Sequence, residues 1–216
     1  MIGAVVFDMD GVLLDSEQVW NEVKRSLVLD WGGRWHQEAA LDMMGMSSPE
    51  WSAYLAERME VDRPADEIDV EVVSRMQHRY AAGLPLLPGA IEAVERLAAR
   101  WPLGLASSSN RVLIDEALET AGLTQYFAVT VSSEEVPRGK PAPDVYLAAV
   151  RALGVAAVDA AAIEDSAAGI RSAAAAGMRV VAIPNPHYPP PADAVAQADV
   201  VLNSIGELTP NVINGR

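Results

Sequence analysis

Two acidic residues stand two positions apart where a short apolar run ends. Ile2–Phe7 is followed by Asp8, Met9, Asp10 and Gly11. Because side chains alternate along a strand, Asp8 and Asp10 are expected to point to the same side. Adjacent carboxylates repel each other unless a cation or a proton lies between them. The alternative is a solvated turn at a strand end, where Asp and Gly are common.

A second candidate site is Ser107, where an apolar run gives way to a helix-like segment. At that position its hydroxyl would lie near the unpaired N–H groups of the helix start, which suit an oxyanion such as phosphate. Serine and asparagine are also ordinary helix caps, so simple capping is the alternative.

Lys140 lies in a loop stiffened by Pro141 and Pro143. A lysine in such a loop supplies fixed positive charge to a phosphoryl group. The alternative is an exposed lysine in a turn, which is the usual environment of lysine.

Another acidic pair, Glu164 and Asp165, follows the apolar run Ala160–Ile163. If that run is a parallel strand, the pair reaches the same sheet edge as Asp8. Magnesium prefers oxygen ligands in octahedral geometry. We expect Asp8, Asp165 and the main-chain carbonyl of Asp10 to supply three of them. Capping of the next helix is the competing role of Asp165.

Around these candidate residues, the sequence consists of short apolar runs separated by helix-like segments. Runs that are apolar on both faces predict a parallel sheet covered on both sides, and their alternation with helices predicts an open α/β sheet. The predicted strands are Ile2–Phe7, Leu103–Ala106, Phe127–Val131, Ala160–Ile163, Arg179–Ile183 and Asp199–Leu202.

The stretch from Ser16 to Gly83 shows helical spacing of apolar residues and no strand pattern. We therefore predict a Rossmann-like core of residues 1–15 and 84–216, with an all-α helical-bundle cap of residues 16–83 inserted after the first strand. The clearest helical repeats are Val19, Val23 and Leu27, and then Ile68, Val72, Met76 and Tyr80.

Composition excludes several classes of function. The 216 residues carry a formal net charge of −14, which disfavours nucleic acid and anionic membranes as partners. The chain has no cysteine, which excludes thiol catalysis and disulfides. The N-terminal apolar run is too short for a signal peptide, and no stretch approaches the roughly 20 apolar residues of a membrane span. We expect a cytoplasmic protein, a monomer or weak homodimer, that acts on a small molecule.

With all four motifs in this order, the chain resembles the haloacid dehalogenase superfamily, in its phosphatase and β-phosphoglucomutase-like branch. The resemblance implies that Asp8 is the nucleophile, that Asp10 is the general acid and base, and that Ser107 and Lys140 hold the phosphoryl oxygens. It implies a Mg²⁺-dependent hydrolysis of a sugar phosphate, polyol phosphate or phosphoglycolate through an aspartyl-phosphate. The implied metal ligands are Asp8, Asp10, Glu164 and Asp165.

A phosphosugar mutase like β-phosphoglucomutase is the main alternative. That relative has a cap histidine where this chain has Trp20, and a cap arginine where this chain has Ser47, Ser48 and Pro49. The loss of both favours simple hydrolysis. Dehalogenases lack an aspartate at the place of Asp10, so dehalogenation is disfavoured. No charged catalytic group of the family is missing from this chain, so a non-catalytic binding role is disfavoured as well.

Substrate selection is expected to fall to the cap, because the core recognises only the phosphoryl group. Packing within the helical bundle is the alternative role of Trp20. The predicted substrate contacts are Ser16, Trp20, Met44, Ser47 and Arg79 from the cap, with Ser109 and Asn110 from the core.

Overall fold

A computed structural model describes residues 1–44 and 46–215. Within these residues, six parallel strands form one sheet. They are β1 (Ala4–Phe7), β2 (Leu103–Ser107), β3 (Phe127–Ser132), β4 (Ala160–Glu164), β5 (Arg179–Ala182) and β6 (Val200–Val201). Their order in the sheet is β3-β2-β1-β4-β5-β6. The predicted α/β class and all six predicted strands are confirmed, with bounds that differ by one or two residues.

Helices cover both faces of the sheet. Because side chains alternate along β1, Val5 and Phe7 pack into one apolar cluster, whereas Val6 packs into another on the opposite face. The first cluster includes side chains of α5 (Ala90–Ala98), α6 (Arg111–Thr120) and α10 (Pro210–Asn214). The second includes side chains of α7 (Asp144–Ala152) and α8 (Ala167–Ala175), and α9 (Ala192–Val195) packs beside α8. Burial on both sides explains why β1 is apolar throughout.

The chain between β1 and β2 is helical. It contains α1 (Glu17–Asp30), α2 (Ala39–Asp42), α3 (Ser48–Arg58) and α4 (Ala65–Ala82), and of its described residues from 16 to 83 none lies in a strand. Helix α4 packs against both α1 and α3. The predicted apolar repeat of α4 is confirmed, since all four of its members are buried: Ile68, Val72, Met76 and Tyr80.

The carboxyl ends of three neighbouring strands lie side by side. In the sheet, Phe7 of β1 is in register with Leu105 of β2 and with Ile163 of β4. Residues that follow these positions therefore meet at one edge, next to the point where the strand order changes direction.

None of the helices in the described part of the chain combines the length and apolarity needed to cross a bilayer.

Candidate active site

Three carboxyl groups meet at this edge of the sheet. Asp8 follows β1, Glu164 ends β4, and Asp165 is the next residue. One oxygen from each side chain lies within 4.8 Å of the other two. All three residues are buried, and Asp8 is the most exposed at 6%. The parallel strands thus bring together the acids of the first and the last predicted motifs.

Lys140 reaches this group from the loop between β3 and α7. Its Nζ lies 2.9 Å from Oδ1 of Asp8 and 2.6 Å from Oε1 of Glu164. Burial lowers the pKa of Lys140, but the carboxylates of Asp8 and Glu164 raise it by more, so the ammonium stays charged. With 4% of its surface exposed, Lys140 is not the surface lysine of the alternative interpretation.

Glu164 serves this cluster mainly as an acceptor. Besides the ammonium of Lys140, the Tyr146 hydroxyl donates to Oε1 of Glu164 over 2.6 Å. The backbone N–H of Asp165 donates to its Oε2 over 3.1 Å, and the Ser166 hydroxyl does so over 3.3 Å. Glu164 therefore fixes the position of Lys140 as well as adding an oxygen to the group of three acids.

When its three carboxyl groups are all ionised, the charges of this cluster do not balance without a further cation. Burial raises the pKa of Asp8 to about 8; Lys140 opposes this change, while Glu164 and Asp10 add to it. Burial, then repulsion by Glu164 and Asp8, also raises the pKa of Asp165 well above its usual range. One ammonium cannot neutralise three carboxylates, and the donor atoms are all oxygens. The group fits a hard divalent cation such as Mg²⁺.

Two glycines allow the backbone to approach these acids. Gly11 has a left-handed φ of +78°, and a Cβ built on it would overlap the Asp165 carboxylate. A Cβ on Gly169 would overlap the carboxylate of Glu164. The backbone therefore closes around both acids, and it leaves no room for a side chain at either glycine.

The carboxylate of Asp10 has its own set of hydrogen-bond donors. It accepts hydrogen bonds from the hydroxyl of Ser16, from Nε1 of Trp20 over 3.2 Å, and from Oγ of Ser109 over 2.6 Å. Ser16 is the N-cap residue of α1 and Trp20 lies in its first turn, whereas Ser109 lies between β2 and α6. The Asp10 side chain therefore does not belong to the group of three acids that could bind a metal ion. Of Asp10, only the main-chain carbonyl remains a candidate metal ligand.

A cavity of about 60 Å³ lies between these acids and the inserted helices. Its core side is formed by Asp8, Asp10, Ser108, Ser109, Lys140, Asp165 and Ser166. Its other side is formed by Glu17, Trp20, Lys24, Met43, Met46 and Trp51. The cavity therefore places the carboxyl groups of Asp8, Asp10 and Asp165 and the ammonium of Lys140 around one small space.

Comparison with known proteins decides the family. The model of the haloacid dehalogenase-like hydrolase family matches residues 2–177. The chain belongs to this family. The predicted superfamily is thereby confirmed.

Relatives of this haloacid dehalogenase-like hydrolase include named phosphatases. Hexitol phosphatase B of Escherichia coli (strain K12) is 35% identical over 213 residues, which are 95% of this chain and 94% of that protein. The bifunctional riboflavin kinase/FMN phosphatase of Arabidopsis thaliana is 30% identical over 203 residues. Those residues are 93% of this chain but only 53% of that protein, so the chain spans about half of its length.

The solved structures include CbbY from Rhodobacter sphaeroides in complex with phosphate. It superposes with a TM-score of 0.88 at 26% identity, and the match covers 99% of this chain and 100% of that one. The similarity extends through the inserted helices as well as the sheet, since nearly the whole chain is covered.

The serines of this haloacid dehalogenase-like hydrolase at the end of β2 have different surroundings. Ser107, the predicted phosphate ligand, is fully buried, and its Oγ accepts a hydrogen bond from the N–H of Ser109 over 3.1 Å. Ser108 lines the cavity, and its buried Oγ has no hydrogen-bond partner among the described residues. Ser108 was not predicted, because nothing in a run of three serines distinguishes it. Its free hydroxyl makes it a further candidate for contact with a phosphoryl oxygen.

Of the predicted substrate contacts, Trp20 and Ser109 line the cavity. Ser16 is hydrogen-bonded to Asp10. Met44 does not line the cavity, although Met43 and Met46 do.

Three other predicted contacts are engaged elsewhere. Ser47 forms a capping box with Glu50 at the start of α3, and Arg79 pairs with Glu22 over 2.7 Å on the outer surface. The side chain of Asn110 accepts a hydrogen bond from Ser48 over 2.8 Å and donates to Glu134 and Asp69. Each of the three satisfies a neighbouring polar group, which a pattern of residue types does not reveal.

Glu17 and Lys24 were not predicted, yet both line the cavity. Together with Trp20 they are spaced i, i+3 and i+7, which places them on one face of α1. Burial raises the pKa of Glu17 to about 7, and Asp10 adds to this change while Lys24 opposes it. Burial lowers the pKa of Lys24 to about 8, against the effect of Glu17 and Asp10. Charged residues on the otherwise buried face of a helix were the signal that could have identified them.

Proposed function

We propose that the chain is a Mg²⁺-dependent phosphatase of small phosphorylated metabolites that forms an aspartyl-phosphate on Asp8. The observation that carries this proposal is the buried cluster in which Lys140 contacts Asp8 over 2.9 Å while Asp165 and Glu164 complete an all-oxygen group. Phosphoryl transfer depends on positioning and on charge neutralisation, and this cluster supplies both.

In the first step, the Asp8 carboxylate attacks phosphorus in line with the leaving oxygen. Lys140 holds the attacking carboxylate and is near enough to contact a phosphoryl oxygen, while Glu164 keeps the ammonium in place. Asp8, Asp165 and Glu164 are the side chains that would hold Mg²⁺, which when bound offsets the negative charge of the phosphoryl group. The Ser107 and Ser108 hydroxyls are the proposed donors to the remaining phosphoryl oxygens.

Asp10 is the proposed general acid and base. It hands a proton to the leaving alcohol, and then as a carboxylate it accepts a proton from the water that hydrolyses the aspartyl-phosphate. Its three hydrogen bonds, to Ser16, Trp20 and Ser109, hold the carboxylate at the cavity wall. Because α1 provides two of these donors, the orientation of the acid depends on the inserted helices.

Residues 16–83 are the proposed cap over a core of residues 1–15 and 84–216. Asn110 of the core bonds Ser48 and Asp69 of the helical insert, and Gln77 of the insert donates to Glu116 over 3.0 Å. The cavity has room for only a few water molecules, because each occupies roughly 10–15 Å³ on this measure. We therefore expect the cap to move away from the core to admit a phosphorylated sugar, and its closure to exclude water from the first step.

The proposed substrates are sugar or polyol phosphates, with phosphoglycolate as the other candidate. Similarity over nearly the whole chain to a protein named hexitol phosphatase supports the first class. Cytoplasmic location and a monomeric or weakly dimeric state stay predictions.

Trp20 favours hydrolysis over mutase chemistry. Trp20 stands where the mutase has a histidine, and its indole N–H donates a hydrogen bond to Oδ1 of Asp10. Phosphate release from glucitol 6-phosphate and phosphoglycolate, with and without Mg²⁺, tests the proposed function. Rapid interconversion of glucose 1-phosphate and glucose 6-phosphate without phosphate release would contradict it.

A further inference from the structure

Lys24 is a buried cation that the chemistry proposed above does not use. Only 6% of its surface is exposed, and its Nζ lies 5.0 Å from the ring centre of Trp20 and 4.9 Å from that of Trp51. Among the residues that the structure describes, the ammonium makes no ion pair and no hydrogen bond. The two rings provide cation–π contacts on their faces, and the cavity lies on a remaining side.

The ammonium of Lys24 lacks the hydrogen-bond acceptors that the ammonium of Lys140 has. Lys140 has two carboxylate partners in direct contact, whereas Lys24 contacts aromatic faces and feels Glu17 and Asp10 only at longer range. Burial of a charge without hydrogen-bond acceptors is unfavourable, and two indole contacts offset only part of this cost. A ligand oxygen in the cavity would supply the missing acceptor.

The neighbouring acids limit the kind of ligand group that can supply this oxygen. Glu17 lies seven positions before Lys24, on the same face of α1, and lines the same cavity together with Asp10. A carboxylate or a second phosphate of the ligand would gain from Lys24 but would be repelled by Glu17 and Asp10. A hydroxyl accepts a hydrogen bond from an ammonium and donates one to a carboxylate, so it satisfies both kinds of group.

We propose that Lys24 and Glu17 form a hydroxyl-binding subsite, which selects phosphate esters of polyols or sugars over those of carboxylic acids. This inference rests on the proposed phosphatase function and assigns the substrate class of that same site. The two tryptophans hold the ammonium in place, and the carboxylate of Glu17 accepts a hydrogen bond from a ligand hydroxyl.

The test compares Lys24→Met with Lys24→Arg and with Arg25→Met. Arg25 is the next residue of α1 but is exposed, so its substitution removes the same charge away from the cavity. The values of kcat/KM are measured for glucitol 6-phosphate, phosphoglycolate and phenyl phosphate, and thermal unfolding shows that each variant is folded.

We expect the wild type to prefer glucitol 6-phosphate. Lys24→Met should lower kcat/KM for that substrate by about 10- to 100-fold, mainly through KM, as for a lost hydrogen bond to a charged group. The loss for phenyl phosphate, which lacks hydroxyls, should be less than about threefold, and Lys24→Arg should recover part of the loss. An equal loss of kcat/KM for glucitol 6-phosphate and for phenyl phosphate would overturn the proposal. A preference for phosphoglycolate that depends on Lys24 would also overturn it.

A binding experiment separates this inference from the proposed function. Calorimetric titration of glucitol 6-phosphate into Asp8→Asn and into the double variant Asp8→Asn, Lys24→Met requires no turnover. We expect about tenfold weaker binding to the double variant, with a much smaller change for inorganic phosphate. Tight, Lys24-dependent binding without hydrolysis by the wild type would defeat the phosphatase and keep the subsite. Hydrolysis with equal binding to both variants would defeat the subsite alone.

Discussion

Nε1 of Trp20 donates a hydrogen bond to Oδ1 of Asp10 over 3.2 Å. The bond joins the first helix of the insert to the acid that follows the first strand. Trp20 also packs against Trp51, with ring centres 6.1 Å apart, and contacts the ammonium of Lys24. One side chain therefore links the proposed general acid to the proposed hydroxyl-binding subsite.

Replacement of Trp20 by phenylalanine should lower kcat more than it raises KM. Phenylalanine keeps most of the aromatic packing but removes the donor to Asp10, so the acid loses one of its three positioning bonds. A single hydrogen bond contributes about 1 kcal/mol, so we expect kcat to fall by roughly 5- to 10-fold. Steady-state kinetics of phosphate release measure this effect, and an unchanged kcat would show that Trp20 does not position the acid.

Asp8→Asn should abolish turnover without unfolding the protein. Burial raises the pKa of Asp8, so a neutral amide of the same shape is easier to bury at this position than the carboxylate. Without Mg²⁺, the variant should melt at the same temperature as the wild type or above it. Phosphate release and thermal unfolding, recorded on the same preparation, check both parts. Substantial residual activity would refute the nucleophilic role.

Lys140→Met should destabilise the fold as well as stop catalysis. The substitution leaves Asp8 and Glu164 buried without their counter-ion, and the removal of one partner from a buried pair costs about 3–5 kcal/mol. Urea unfolding should show this loss. The double variant Lys140→Met, Glu164→Gln should recover part of it, because it also removes one uncompensated charge. An unfolding free energy equal to that of the wild type would contradict the buried network.

The effect of Mg²⁺ on stability should grow with pH. The pKa of Asp8 is raised from 3.8 to about 8, so the folded state holds a proton over this range that the unfolded chain has released. Stability of the metal-free protein therefore falls as pH rises from about 4 to about 8. Metal binding requires the deprotonated carboxylates. Added Mg²⁺ should raise the melting temperature more at pH 8 than at pH 5.

Asp8→Asn, Asp165→Asn is the control for this experiment, because it removes two of the titrating groups. Its response to Mg²⁺ should be small at both pH values. A wild-type response that is equal at pH 5 and pH 8, or larger at pH 5, would argue against a metal held by these acids.

The sequence predicted the core of the site because local rules determine it. Residues that directly follow buried parallel strands meet at one sheet edge, which places Asp8 beside Asp165 without knowledge of the rest of the fold. The strands and the apolar repeat of α4 follow from periodicity in the same way. The family match over residues 2–177 covers all four motifs.

The remaining contacts depend on which surfaces of the insert face the core. Arg79 and Asn110 are polar residues at plausible positions, but each is satisfied by neighbours such as Glu22 and Ser48. Lys24 faces the cavity only because α1 packs with that side toward the core. Helical periodicity marks the buried face of a helix, but it does not reveal whether that face meets the bundle interior or a ligand cavity.

The most direct test of the account is chemical trapping of the phosphorylated residue. The wild type is mixed with glucitol 6-phosphate and Mg²⁺, quenched during turnover and reduced with borohydride, which converts an aspartyl-phosphate to homoserine. Peptide mass spectrometry should find homoserine at position 8 in the wild type and none in Asp8→Asn. Steady phosphate release with no modification at position 8, or with modification at Asp10 instead, would contradict the central claim.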